Sequence, residues 1–567
     1  VTAGAITGHK NITLSGVTGA TTGSGRVDIS GQVLGGGDIG ISGSSIAAGA
    51  LVSGIDFAAT AAAGGNIVLA NSGDLALAAT GNISAGILLS AGDLSATGSA
   101  VTADSVTAHG NVTLGGAVDI TGQVLGAGDV SITGQSLSAQ TLVAGIDFDA
   151  TNASGGDILL GSTGDLTVSA SGAAAASTMQ AAGLIDVNAA NINADAITGH
   201  KTITLAGATD VSGQILGGSD ITISGSSVTA GAIVSGVDFG AIATASGSIV
   251  QTSSGNVQLA STGDLTVGTL LSAGDLTAQA IDLTASSITS HGAVDLKASG
   301  TATGTGRVVV NGEVLSAGNL SIDGASLNAG LLVSGVDFTA TAASGGNIVL
   351  GASGAMDLTF SGNAAAGTIL SAGDFTATAA DVQAGSITSH GTVGIVGNVD
   401  VSNQILAAGD LTINGGSIRA PTLISGIDFA ATNAAGGNIV LAQSGATDLT
   451  ATGDIVSQTM LSAGDFAARA ANVQADSITS HGAVGIVGNV DVSNQILAAS
   501  DLTINGGSIS APTLISGIDF TATNAAGGSI ALASSGDLNL IASVGIATST
   551  MLSAGDIDAR AATITAG

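Results

Sequence analysis

The sequence predicts an all-β fold, a single-stranded parallel β-helix in which one chain winds into stacked coils, and three observations carry that prediction. The composition lacks the material of an ordinary core, tandem repeats run the length of the chain, and short apolar runs alternate with period two between glycines.

Composition comes first. The 567 residues include 90 Gly, 2 Pro and no Cys, Trp or Tyr. Only 8% are charged and 45% are hydrophobic, the opposite of the polar, charge-rich composition of disordered chains. The apolar residues are mainly Ala, Val, Ile and Leu, so the interior must be narrow and filled by small or β-branched side chains.

The net charge of −32, from 40 acids and 8 bases, opposes binding to nucleic-acid phosphates or anionic lipid. Without Cys the chain has no thiolate metal or redox motif, and it suits a protein that crosses an oxidising compartment unfolded. No run of about 20 apolar residues is present, so no transmembrane segment is expected. Residue 1 already lies inside the repeat pattern, and the expectation is a fragment of a larger protein.

The clearest repeat marker is LVSGIDF at 51–57, which returns in five further variants ending in Phe148, Phe239, Phe338, Phe429 and Phe520. From Phe57 onward these phenylalanines are separated by 91, 91, 99, 91 and 91 positions. The six histidines, His9, His109, His200, His291, His390 and His481, keep nearly the same spacing, one per unit. The chain therefore reads as one continuous region, 1–567, of six units. The His-to-Phe separation is 39 in four units but 48 in the first and 47 in the fourth. Insertions explain the difference, and Gly/Thr/Ser-rich stretches near 16–25 and 299–306 are expected to project as extra loops.

Within each unit a shorter period recurs. Asp38, Asp56, Asp74, Asp93, Asn111, Asp129, Asp147 and Asp165 are spaced by 18 or 19 and mark the starts of alternating runs such as DLALA or DVSIT. That spacing implies about five coils per unit and about 31 in the chain, stacked at about 4.8 Å into a rod of about 150 Å. Gly and Asn at the run boundaries supply tight corners.

The segments LLSAGDLSA (88–96), LLSAGDLTA (270–278), QILAAGDLTI (404–413) and LVSGVDFTATAASGGNIVL (332–350) resemble filamentous haemagglutinin repeats, and the resemblance covers essentially the whole chain. It implies a right-handed β-helix from a large exoprotein of a Gram-negative two-partner secretion system. The implied place is the bacterial cell surface or the extracellular space. Export would pass through an outer-membrane two-partner secretion transporter, and the partners would be host or bacterial cell-surface receptors or glycans; lateral or end-to-end self-association of such rods is left open by the sequence. Neither an amino-terminal secretion domain nor a carboxy-terminal toxin or receptor-binding domain is recognisable.

No catalytic, cofactor-binding or metal residue is expected. Successive histidines lie about 24 Å apart on a five-coil spacing, too far to share one metal or substrate, and belong at a polar corner. The serines beside them, as in SITSHG at 477–482, have no repeated carboxylate as a third member of a triad. Stacked Asp carboxylates one coil apart would repel by about 0.9 kcal/mol in water, which calcium could relieve. The tandem GGxGxD pattern of calcium-binding rolls is missing, and the plainer reading places these side chains in solvent, capping their own turns. The Phe of each DF pair is expected in the core, widening one coil per unit. The glycines at 35–37 lack the Lys of a phosphate-binding loop.

The expected function is non-enzymatic, the elongated shaft of an adhesin. The alternative is the stalk of a contact-dependent growth inhibition toxin, which would look the same over these residues. An ice-binding solenoid needs a regular Thr row, whereas Thr here alternates irregularly with Ser, Ala, Val and Asn. A polysaccharide-cleaving β-helix needs clustered acids and bases, and the 8 Lys and Arg are scattered.

Overall fold

A computed structural model describes residues 1–16, 25–155, 157–244, 249–252, 254–434, 438–525 and 530–566. The chain forms two compact units, Val1–Ile281 and Asp282–Gly567, and both are built in the same way. Each is a parallel β-helix, as the alternation predicts.

The alternating runs become strands because each presents Ile, Leu or Val inward at every second position and small polar residues outward. In the first unit Leu94 pairs with Val112, Val112 with Val130 and Val130 with Leu166, all in parallel register. The column continues through Ile185, Ile203, Ile221, Val257 and Leu276. In the second unit the equivalent column runs Val294, Leu320, Met356, Phe375, Val393 and Leu411. These side chains are buried. Each contributes about 1.5–3 kcal/mol, so a thin core repeated coil after coil replaces one thick core. Thr447 stands in this column between Leu411 and Phe466, and its hydroxyl is satisfied by the Ser425 hydroxyl at 2.8 Å.

The coil count differs from the expected one. Asp74, Asp93, Asn111, Asp129 and Asp165 occupy one column, at intervals of 19, 18, 18 and 36 residues. A 91-residue unit therefore holds four coils, not five, which lowers the expected total in proportion. The fourth coil is twice as long because the chain leaves the stack at Gly145, runs through an excursion and rejoins at Gly164. Within it, Phe148–Ala153 forms a short helix and Ile146 makes an antiparallel bridge to Leu160. The excursion recurs in all six repeats, with helices at Phe57–Ala62, Phe239–Thr244, Phe338–Ala343, Phe429–Ala434 and Phe520–Ala525.

Asp56 and Asp147 therefore do not belong to the column, although their spacing matches it. They are helix N-caps. The Asp56 carboxylate accepts from the amides of Ala58 and Ala59, and that of Asp147 from Ala150. Of the two expected loops, the one at 299–306 is irregular chain between strands Val294–Ala298 and Arg307–Ser316. The other falls on residues 17–24, which lie outside the described residues.

Candidate functional site

The features that recur in every repeat meet at one corner of the coil, where the sequence reads Ser-Ala-Gly-Asp or Ser-His-Gly. A coil must reverse direction there while staying in register with its neighbours, so every polar group at the corner needs a partner in the adjacent coil.

The serine points inward. Ser53 and Ser90 are fully buried, their hydroxyls 3.1 Å apart and within 2.9 and 2.8 Å of the Gly73 carbonyl. Ser334, Ser371 and Gly354 repeat the arrangement in the second unit. Ser480, beside His481, donates to the Gly464 carbonyl at 2.7 Å and is also fully buried. Its hydroxyl faces the interior while the imidazole faces outward, so the pair makes no nucleophile and base.

The Asp/Asn column is exposed, as expected, but its bonding is different. Each side-chain oxygen accepts from the backbone amide at the equivalent position of the next coil, not from its own turn. Asp93 Oδ1 accepts from Asn111 at 2.8 Å, Asn111 Oδ1 from Asp129 at 2.8 Å, and Asp129 Oδ1 from Asp165 at 2.9 Å. In the second unit Asp410 bridges to Ala446 and Asp501 to Asp537. The same bond is made by Asp and by neutral Asn, so the column works as a ladder of acceptors. Among the described residues no three of His, Asp and Glu come together as a ligand set.

The histidine and the phenylalanine of each repeat, expected at a polar corner and in the core, instead meet. Phe148 is half-buried on the outside of the coil, and its ring stacks on His109 with centroids 4.4 Å apart and 12° between planes. The other five pairs have the same geometry, at 4.2–4.4 Å and 16–23°. The correction to the core assignment has a simple cause. The Asp N-cap turns the chain out of the stack one residue before the Phe, and the ring then folds back over the corner two coils earlier. Phe360, Phe375 and Phe466, inside strands, are the aromatics that do fill the core.

In repeat two the excursion also seats Phe148, Ile158 and Leu160 against Leu125, Val143 and Ile146. The stack half-buries the imidazole, and burial pushes His109, His200, His291, His390 and His481 below the ordinary histidine value. At His109 the nearby charge of Asp149 opposes this without reversing it.

Three other surface features are present. Beside the 299–306 loop, Arg307 donates to Asp282 from its backbone amide at 2.9 Å and its guanidinium at 3.1 Å. Burial alone would raise the Asp282 pKa, but the hydrogen bonds and charge of Arg307 hold it below the usual carboxylate value. An open hollow of about 380 Å³ is lined by Asn193, Asp195, Asp210 and Ser212, with the Ser212 hydroxyl donating to Asp195 at 3.0 Å. A second hollow of the same size lies at the matching repeat position, around Gln383, Asp400 and Ser402.

Comparison with protein-family models, with curated proteins and with solved structures finds no match to this chain.

Sequence reasoning missed the helices and the ring pairs. Two signals for them were present: the repeated D-F followed by a stretch that does not alternate, and a His-to-Phe separation of 39, which is two coils plus three residues.

Proposed function

We propose that the chain is a non-enzymatic shaft, the extended region of a cell-surface or secreted adhesin of the filamentous haemagglutinin type. Its partners on this reading are the outer-membrane transporter that exports it and the receptors or glycans reached by the regions it carries. The observation that supports the reading most is the direction of the recurrent polar bonds. The Ser hydroxyls donate to, and the Asp and Asn side-chain oxygens accept from, the backbone of the adjacent coil. Side chains committed to holding coils together serve length and stiffness.

The repeat also suits growth by duplication. The near-identical stretches 386–418 and 477–509 begin 91 residues apart, so a whole unit can be added without breaking register. The test is to display the parent exoprotein on a bacterial surface with residues 391–481 deleted, present, or duplicated. Four coils correspond to about 19 Å, so reach measured by electron microscopy should change by about that amount per unit. Attachment to target cells should follow reach, and outward substitutions within a repeat should leave attachment unchanged. Attachment abolished by such substitutions at constant reach would overturn the shaft reading in favour of a receptor-binding surface.

A further inference from the structure

The six excursions carry a signal that the shaft reading does not use. Their described residues stand away from the stacked coils, where charge should be most welcome in a chain with 48 charged residues among 567. Yet the stretches 57–73, 239–255, 338–354, 429–445 and 520–536 contain no Asp, Glu, Lys or Arg, and only 148–164 has any, Asp149 and Asp157. At the average density, five stretches of 17 residues would hold roughly seven charges. Their absence is selective.

In four of the six excursions an aliphatic residue stands in solvent at one matching position. Ile67 is 44% exposed, Ile249 43%, Ile439 49% and Ile530 52%. Each follows the helix by a few residues, and Ala58, Ala61 and Ala62 of the first helix are exposed beside it. Large side chains held in solvent at matching positions of separate repeats mark a contact surface.

The excursions share one side of each compact unit. They leave the stack at the corner column, where Gly92, Gly110, Gly128 and Gly145 are joined amide to carbonyl in succession. In the second unit Gly335 and Gly426 leave from the equivalent corner, their amides donating to the carbonyls of Gly318 and Gly409. Consecutive excursions are four coils apart, about 19 Å, and a helix is about 10 Å across, so each gap is about 9 Å wide.

We infer that these uncharged excursions are the surface on which two copies of this chain pair side by side. Charge selects the partner. Two molecules of net charge −32 repel over most of their surfaces and can approach closely where five of the six excursions carry no charge. The four-coil period adds to this, since one 17-residue excursion presents far less than the roughly 800 Å² per partner of a stable interface. A partner with the same period engages several excursions at once, and the weak contacts add. A second copy has that period by construction.

The test is sedimentation velocity of the full chain across protein concentration and salt, with two variants of equal added charge. In one, Ile67, Ile249, Ile439 and Ile530 become Asp. In the other the four Asp replace Val396, Val487, Ile541 and Val544, which are exposed outside the excursions at 39–64%. Circular dichroism and a cooperative melt establish that both fold. The expected result is a dimer that strengthens as salt screens the mutual repulsion, is weakened at least tenfold by the excursion substitutions, and is little changed by the control set. The chain has no cysteine, so Ala61→Cys adds a second readout, a disulfide between copies under oxidation. A wild-type chain that stays monomeric up to 100 μM, or equal loss in both variants, would overturn the inference. Neither result bears on the shaft reading, which rests on reach and attachment.

Discussion

His291 and Phe338 are 47 residues apart in sequence, eight more than His390 and Phe429, yet both pairs stack with ring centroids at 4.4 Å. The extra residues of the 299–306 loop lie on another side of the coil, after strand Val294–Ala298 and before Arg307–Ser316, and leave the corner undisturbed. The ring pair is thus a property of coil stacking and not of local sequence.

Removing one ring should release one excursion without unwinding the coils. Phe429→Ala is expected to weaken docking of its helix by about 1–2 kcal/mol, from lost stacking and lost burial. Hydrogen exchange at the Asp428 amide, which donates to the Val440 carbonyl at 2.9 Å, should accelerate roughly tenfold while strand amides keep their protection. Equal acceleration along the strands would mean that the excursion supports the whole stack.

The same contact should weaken in acid. Burial lowers the folded-state pKa of His291 and His390 below the ordinary 6.5, so a released imidazole takes up a proton before a docked one. Docking is at full strength above pH 6.5 and declines as pH falls, the loss becoming complete below the lowered folded value. Protection factors of Asp337 and Asp428, measured from pH 8 to 5 and corrected for intrinsic exchange, should fall in that direction. A rise toward acid would show that the imidazolium is favoured over the ring.

The acceptor ladder predicts that charge at the column is dispensable and the oxygen is not. Asp93→Asn keeps the acceptor for the Asn111 amide and should be nearly neutral, whereas Asp93→Ala should cost about 1 kcal/mol. Neither calcium nor a chelator should move the melting temperature of the parent chain. A calcium-induced rise that Asp93→Asn abolishes would establish the column as a metal site.

Gly335 is where an excursion leaves the stack, with φ of +74°, and a side chain there would strike Ala372 and the Ser353 carbonyl. Gly335→Ala should cost about 3 kcal/mol, through strain together with overpacking. Gly346, at φ of +91° but facing open space, bears the strain alone, and Gly346→Ala should cost only about 1 kcal/mol. Thermal melts of the two variants decide whether close approach or backbone angle dominates.

Period-two alternation in runs such as DVSIT, and recurrence every 18 or 19 residues, were enough to determine a parallel solenoid. A strand with one apolar face, repeated at constant length, can bury that face only by stacking on copies of itself. The loop at 299–306 was legible for the same reason, since an insertion shifts the repeat spacing. What spacing by itself did not separate was Asp56 from Asp74. Both follow an alternating run at the same interval, yet one caps a helix that leaves the stack and the other continues the ladder. Only tertiary structure decided between them, because the choice depends on which backbone amides lie one coil away. The His–Phe contact, signalled only by a separation of two coils plus three residues, needed the stacking to be recognised. It spans two coils, and sequence separation measures distance along the chain, whereas stacking measures it along the axis.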